Sequence, residues 1–471
     1  MRRLLLALLL APGLDGAQTS PSPSRPWTPP AGALPPAVAP KPPAVPQEWL
    51  SKGTLLTLPQ LLDVALAQNP QTRAAWFRAK AAAADVGIEK AAYYPTLDAT
   101  ANLTRQKQAA VGGQFTFQQT TYGPGVNLTW LLFDLGRGAD VEEARQALYA
   151  ANFEHDAVIQ DVVFRVAQAF YQYQAAKALA RSAEASLRDA ATHLEAAEAR
   201  REAGVATIAD VLQARTARSQ AELALASAQG QILTLRGALA TAVGVPATIP
   251  VDAAELPEEL DVDRAAPAVE ALVARALRTR PDLLAARAQE RRYESRVSSR
   301  RADFWPSLLT TGTANRTYYT AEGSTFSNNY SGVLLLRVPV FNGFARGFEV
   351  KKAEAESQEA SANAEALADR VILDVWTGAS DLTTAAQRVK TARDLLASAS
   401  QSAQVAQGRY KEGVGSILDL LTAQGALANA RSLDVAARAD WLLALTALSR
   451  ATGLLGPDVE NLSRRLVGTH P

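Results

Sequence analysis

Two carboxylates close the same phrase at two places in the chain. Asp210 ends GlyValAlaThrIleAlaAsp (204–210), and Asp419 ends GlyValGlySerIleLeuAsp (413–419), 209 residues later. In each phrase the glycine, Gly204 or Gly413, reads as a helix C-cap able to take positive φ. The aspartate then reads as a solvated residue at the start of the next helix, where the peptide dipole favours negative charge. Little else offers reactive chemistry. Cysteine is absent, which excludes disulfides, thiolate nucleophiles, Cys-ligated zinc and a lipid-modified N-terminal cysteine. The three histidines, His155, His193 and His470, are far apart in sequence, and His155 and His193 read as solvated residues on a long polar helix. No nucleophile elbow, phosphate loop or metal-binding helix motif occurs, and the glycines at 112–113 and 136–138 lack the spacing of a dinucleotide site. The sequence therefore predicts no enzyme, no metal and no cofactor.

Composition narrows the class further. With 48% hydrophobic, 20% charged and 6% aromatic residues, 471 residues are too many and too mixed for a disordered tail. Lys+Arg 48 against Asp+Glu 47 leaves no global field for nucleic acid or an anionic membrane face. No run approaches the roughly 18–20 apolar residues of a spanning helix, so a membrane role must use strands or a surface contact. Residues 1–17 read as a signal peptide, with two arginines followed by a short apolar run. Residues 18–54 form a proline-rich extension that reads as a polyproline-like tether. Export without cysteine points to a bacterial periplasm or outer membrane.

The two aspartate phrases belong to a longer duplication. AlaLeuAlaGlnAsnPro ending at Pro70 returns as AlaLeuArgThrArgPro ending at Pro281, and TyrTyrProThrLeu (93–97) returns as PheTrpProSerLeu (304–308), both 211 residues on. PheAspLeuGlyArgGly (133–138) returns as PheAsnGlyPheAlaArgGly (341–347), and Gly244 returns as Gly453. The chain is two copies of one unit, 55–245 and 267–455, joined by a linker at 246–266 and followed by a tail at 456–471. Each copy predicts a helical stretch (58–94, 268–305), two strands, a proline-free helix (138–203, 347–412) and a returning helix (205–243, 414–452). At 1.5 Å per residue, 66 helical residues extend about 100 Å. Apolar residues at alternating three and four spacing, from Ala144 through Val158, Val166, Tyr173 and Ala180 to Leu194 and Ala197, form a heptad stripe. Its alanine content predicts close packing of one long helix along another.

The strands, expected at about 95–107, 119–133, 306–320 and 328–341, alternate with period two. Leu97, Ala99, Ala101 and Leu103 oppose Asp98, Thr100, Asn102 and Thr104; Val126, Leu128, Trp130 and Leu132 oppose Asn127 and Thr129. In the second copy Leu334, Leu336 and Val338 oppose Arg337, and Pro339 falls near the end of the fourth strand. Segments of about ten residues, apolar on one side and polar on the other, suit a membrane barrel. Four strands cannot close one, and an open edge is not tolerated in hydrocarbon. An oligomer follows, its number undetermined by these residues.

Together these features resemble the TolC-type outer-membrane efflux channels. The signal, the duplicated unit, the strand exits TrpLeuLeuPheAspLeuGlyArgGly and ArgValProValPheAsnGly, and the turn ArgTyrLysGluGlyValGlySerIleLeuAspLeuLeuThrAla carry the resemblance over roughly 55–455. It implies a mainly α fold with membrane β: a homotrimer, with a 12-stranded outer-membrane barrel continued by a periplasmic α-helical coiled-coil tunnel. Such a duct is passive, and its partners are a periplasmic adaptor, an inner-membrane transporter and outer-membrane lipid. The resemblance assigns adaptor contact to two tip turns, Ala203, Gly204, Val205 and Glu412, Gly413, Val414. It matches Asp419 to a pore-ring aspartate, Asp210 to its counterpart in the first copy, and Tyr410 to a gate tyrosine. Three copies of Asp419 around one axis would attract cations. Two positions depart from the pattern: Thr422 replaces a second ring aspartate and Gly415 a gate arginine, so a weaker cation ring and a differently latched gate are expected.

AlaPheTyrGlnTyrGlnAlaAla (169–176) resembles the drug-efflux branch of these channels, and this resemblance makes drug efflux the favoured substrate class. Type I protein secretion and metal-ion efflux are alternatives within the channel class. An exported coiled-coil scaffold is the alternative outside it, but a scaffold leaves the paired strands in both copies unexplained.

Overall fold

A computed structural model describes residues 55–110, 115–257, 260–262, 268–320 and 325–456. The expected signal, the proline-rich extension, His470 and the tail after residue 456 lie outside the described residues. The first copy runs α1 (Leu58–Gln68), α2 (Pro70–Ala91), β1 (Thr96–Ala110), β2 (Phe115–Phe133), α3 (Arg137–Glu202) and α4 (Ile208–Val243). The second repeats the order as α5 (Val269–Thr279), α6 (Pro281–Ala302), β3 (Ser307–Tyr319), β4 (Thr325–Arg337), α7 (Ala345–Lys411) and α8 (Ile417–Ala451).

Several expected boundaries move, each for a local reason. The stretches 58–94 and 268–305 are two helices each, because Pro70 and Pro281 cannot continue the preceding helix and instead start the next. Asn69 caps α2 by accepting from the Gln71 amide at 2.8 Å. The break packs tightly: a Cβ on Gly244, which ends α4 at φ +90°, would lie 3.3 Å from the Asn69 Cα, and one on Gly453 at φ +70° would lie 3.1 Å from the Arg280 Cα. The duplicated glycines thus seat the duplicated helix breaks. The long helices have 66 and 67 residues, the second starting earlier than expected at Ala345, and the returning helices start later, at Ile208 and Ile417. The fourth strand ends at Arg337, so Val338 and Pro339 stand beyond the ladder.

The four strands form one antiparallel sheet in the order β1-β2-β3-β4, which leaves β1 and β4 as edges. Leu97 pairs with Leu128, Ala99 with Val126 and Leu103 with Tyr122; Leu128 then meets Gly312, and Trp130 meets Thr310, whose partner is Leu334. One face therefore carries an apolar band. The opposite face pairs Asp98 with Asn127, Asn127 with Thr313 and Thr313 with Ser331. That polar face turns apolar in one rung near the helices, where Leu131, Leu309 and Leu335 align. Leu132, expected with the apolar set, is instead the extra residue of an irregularity between Leu131 and Phe133.

Within each copy the two long helices lie along each other, α3 with α4 and α7 with α8, and α3 also packs along α8 and α6. The heptad stripe is buried where expected from Val162 to Ala180 and again at Leu194 and Ala197. The segment after α4 is no bare linker: Val251 and Ala253 are fully buried, and Leu56 bridges Ala253. Asp252 accepts from the Tyr173 hydroxyl at 3.0 Å and from the Lys177 ammonium at 2.7 Å, tying this crossing to α3. Where β2 meets α3, the Arg137 guanidinium donates to the carbonyls of Ala92, Leu131 and Leu132 at 3.2, 2.8 and 3.0 Å, and it lies over the Tyr93 ring at 4.6 Å. At the second junction the chain turns through Gly343 and Phe344, at φ +70° and +67°.

The register gives a direct test of the lipid side. Leu128→Arg should cost about 2–4 kcal/mol near the bilayer midplane, whereas Asn127→Arg on the other face should cost under about 1 kcal/mol. Reversible unfolding from lipid vesicles measures both, and equal costs would refute the assignment of faces.

Candidate functional site at the helix tips

The tip turns are built twice from one set of rules. Val205 N–H donates to Arg200 O at 2.9 Å and Gly204 N–H to Arg201 O at 2.9 Å, with Gly204 at φ +75°. Val414 N–H donates to Arg409 O at 3.0 Å and Gly413 N–H to Tyr410 O at 3.2 Å, with Gly413 at φ +77°. Both are Schellman closures, which only a residue at ease with positive φ completes without strain. Each following helix then opens on a capping box. Asp210 Oδ2 accepts from the Thr207 amide at 2.8 Å while the Thr207 hydroxyl accepts from the Asp210 amide at 3.2 Å. Ser416 and Asp419 repeat the exchange at 3.4 and 3.1 Å. The two aspartates are thus fixed by helix capping first.

The expected site residues fall into three places. Ala203, Gly204, Val205, Glu412, Gly413 and Val414 are all exposed at the extremity of the two hairpins. Val205 and Val414 keep 66% and 68% of their surface open, an apolar pair on turns that satisfy their own backbone bonds. Gly415, Asp419 and Thr422 line one groove of about 730 Å³ between α7 and α8. Thr422 spends its hydroxyl on Leu418 O at 2.7 Å, and a Cβ on Gly415 would stand 3.0 Å from the Arg409 Cβ and 3.2 Å from the Tyr410 amide. The turn is seated close on α7 at Gly415, so a side chain there would have to shift Arg409 by a few tenths of an ångström.

Tyr410 points elsewhere. It is buried with Leu194, Ala197, Val211, Ala214, Ile417 and Leu420 in a small core that joins the two hairpins. Burial raises its hydroxyl pKa above the ordinary value, Arg200 pulls it down, Asp210 pushes it up, and the net shift is upward. Asp210 belongs to this seam and Asp419 to the groove, so the structure separates the two.

Three further residues take places that the sequence did not assign them. Arg200 crosses from α3 to the other hairpin: its Nη1 donates to Tyr410 O at 2.7 Å and its guanidinium lies over the Tyr410 ring at 4.8 Å. Arg409, its equivalent 209 residues on, stays in its own hairpin, reaches Val414 O at 3.5 Å and lines the groove beside Asp419. The repeat offset pairs these arginines in the sequence, but nothing there shows their different directions. His193 is the third, and it corrects an expectation. It is not solvated but 5% exposed, because its side of α3 faces α4 and α8, while His155 is half-buried.

Comparison with known proteins places this geometry. The profile of the outer membrane efflux protein family matches residues 61–245 and 272–454, one match per copy. The chain belongs to the outer membrane efflux protein family. It is 32% identical to protein CyaE of Bordetella pertussis over 444 residues, covering 91% of this chain and 90% of that one. It is 27% identical to the probable efflux pump outer membrane protein TtgC of Pseudomonas putida, covering 84% and 82%. The outer membrane protein VceC of Vibrio cholerae superposes with a TM-score of 0.73 at 22% identity, over 84% of this chain and 96% of that one. As a member of this family the protein is a conduit and not an enzyme. It is located in the outer membrane, trimeric, and coupled to an adaptor and an inner-membrane transporter. Its open-edged sheet supplies four strands of the shared barrel.

Loss of the second cap gives a stability test of the tip. Ser416→Ala should lower stability by about 1 kcal/mol, read as a lower Tm with trimer migration on gels unchanged. An unaltered Tm would show that the cap adds nothing there.

Proposed function

We propose that the protein is the exit duct for small-molecule efflux, and that it is closed at the tip by the seam between its hairpins. The names of relatives such as TtgC support the substrate class. The observation that carries the gate is the crossing of Arg200 to Tyr410, because it is a side-chain bond from one hairpin to the turn of the other. Adaptor docking on the exposed turns would draw α7 and α8 away from α3 and α4. Arg200 would then release Tyr410 O, and the groove holding Asp419 would line the opening.

Arg409 changes the electrostatics expected from the sequence. Three Asp419 carboxylates would be accompanied by three Arg409 guanidiniums in the same grooves, formally cancelling. The ring is then weakly selective, set by which group stands nearer the axis.

Planar-bilayer recordings test both parts. Arg200→Ala should raise the resting conductance, since a half-exposed charged hydrogen bond contributes about 1 kcal/mol, a roughly five-fold shift. Tyr410→Phe should leave it unchanged, because Arg200 uses the carbonyl and the ring face, not the hydroxyl. Reversal potentials should move toward anions in Asp419→Ala and toward cations in Arg409→Ala. If neither moves, the groove does not line the pore. For the adaptor, Val205→Asp combined with Val414→Asp should abolish co-purification of the adaptor from membranes while the trimer persists. Retained co-purification would place the contact elsewhere. Failure to restore small-molecule resistance in a duct-deficient host would refute the substrate class.

A further inference from the structure

His193 sits about three helical turns before the end of α3, in the wall where the two hairpins meet. It lines a cleft of about 450 Å³ bounded by α3, α4 and α8. The cleft exists because its walls are small: α4 contributes Ala217, Ala221 and Ala224, and α8 contributes Gly425 and Ala428. The residue stands in the wall of this cleft and is itself only 5% exposed. Its Nε2 is buried and has no hydrogen-bond partner among the described residues. A buried polar atom left unpaired is costly while the ring is neutral, and far more so once the ring is charged.

The charged groups around it are few. On its own helix Asp189 faces the ring and favours the protonated form, but Asp189 is shared with Arg431 of α8 at 3.5 Å. From α7, Lys411 opposes protonation. The residues α4 brings to the cleft, Gln220 and four alanines, carry no charge. Burial outweighs Asp189, so the pKa of the packed ring lies below its ordinary 6.5.

We propose that His193 is a proton-operated pin in the seam between the hairpins: neutral, it lets α3 pack against α4 and α8, and protonated, it loosens that packing so that mild acid favours the parted tip. The direction follows from linkage. A parted seam exposes the ring to water and restores its ordinary proton affinity, so the parted state binds the proton more readily. The neutral ring's contribution to closure is fully present above pH 6.5 and is lost as the pH falls from there toward the lowered value. Each pH unit of that window shifts the equilibrium of one subunit by at most tenfold. The inference rests on the reading of the tip as a gate, and it adds a sensor one heptad before Arg200.

The test uses the purified trimer at two pH values, about 7.5 and about 5.5. Deuterium exchange, corrected for intrinsic rate, follows peptides covering 183–197 and 421–432. In the parent, exchange there should rise about two- to tenfold in acid. In His193→Gln, which keeps a neutral polar side chain, it should stay at the neutral-pH level. Asp189→Asn removes the one group favouring protonation of the packed ring, so the rise should begin at the same pH but continue to lower pH than in the parent. Bilayer conductance of the same proteins should rise in acid for the parent and stay flat for His193→Gln. A parent with no acid response, or a His193→Gln protein that keeps the parent's response, overturns the proposal. Exchange needs no conduction. Acid-dependent exchange lost in His193→Gln would therefore uphold the pin even if conductance showed that the tip is no gate.

Discussion

An unpaired strand edge cannot face hydrocarbon, and this constraint governs everything else in the protein. The sheet β1-β2-β3-β4 has two such edges and one apolar face. In water the edges would be hydrated, but in the bilayer each unmet amide or carbonyl costs several kcal/mol. The sheet is therefore stable in a membrane only when β1 of one subunit meets β4 of another. Trimerisation is then a condition of folding in the membrane, not a later association of finished monomers. The same closure forces the long helices, which leave from the strand ends, into a ring.

Duplication then divides labour. Each hairpin ends in the same Schellman closure and the same capping box, so the two turns fold on local rules alone. Their side chains diverge. Arg200 reaches across to the other hairpin, while its equivalent Arg409 folds back into its own groove. One copy supplies the tie and the other supplies the turn that is tied.

Much of this was legible in the residues. Period-two alternation in Leu97 to Thr104 and Val126 to Trp130 gave the strands and their faces, and proline-free heptads gave the long helices. The failures were local. Pro70 and Pro281 divide helices that apolar spacing alone runs together. Leu132 is displaced by an irregularity that alternation cannot register. At the tip, the spacing of Asp210 and Asp419 was plain, but which way each side chain points depends on how one hairpin lies on the other. The same is true of His193. A histidine among Thr192, Glu195 and Glu198 reads as wet, and only the packing of α3 between α4 and α8 makes it dry.

The junctions between strands and helices differ in how they are tied. Arg137 binds three carbonyls and a ring at the first, which joins β2 to α3. At the second, Phe344 is the one non-glycine residue at positive φ among the described residues, and its ring meets Phe341 edge-on at 5.2 Å. The two strand exits of each subunit are therefore held by different means, the first by one guanidinium that gathers three carbonyls and the second by a backbone turn with an aromatic pair.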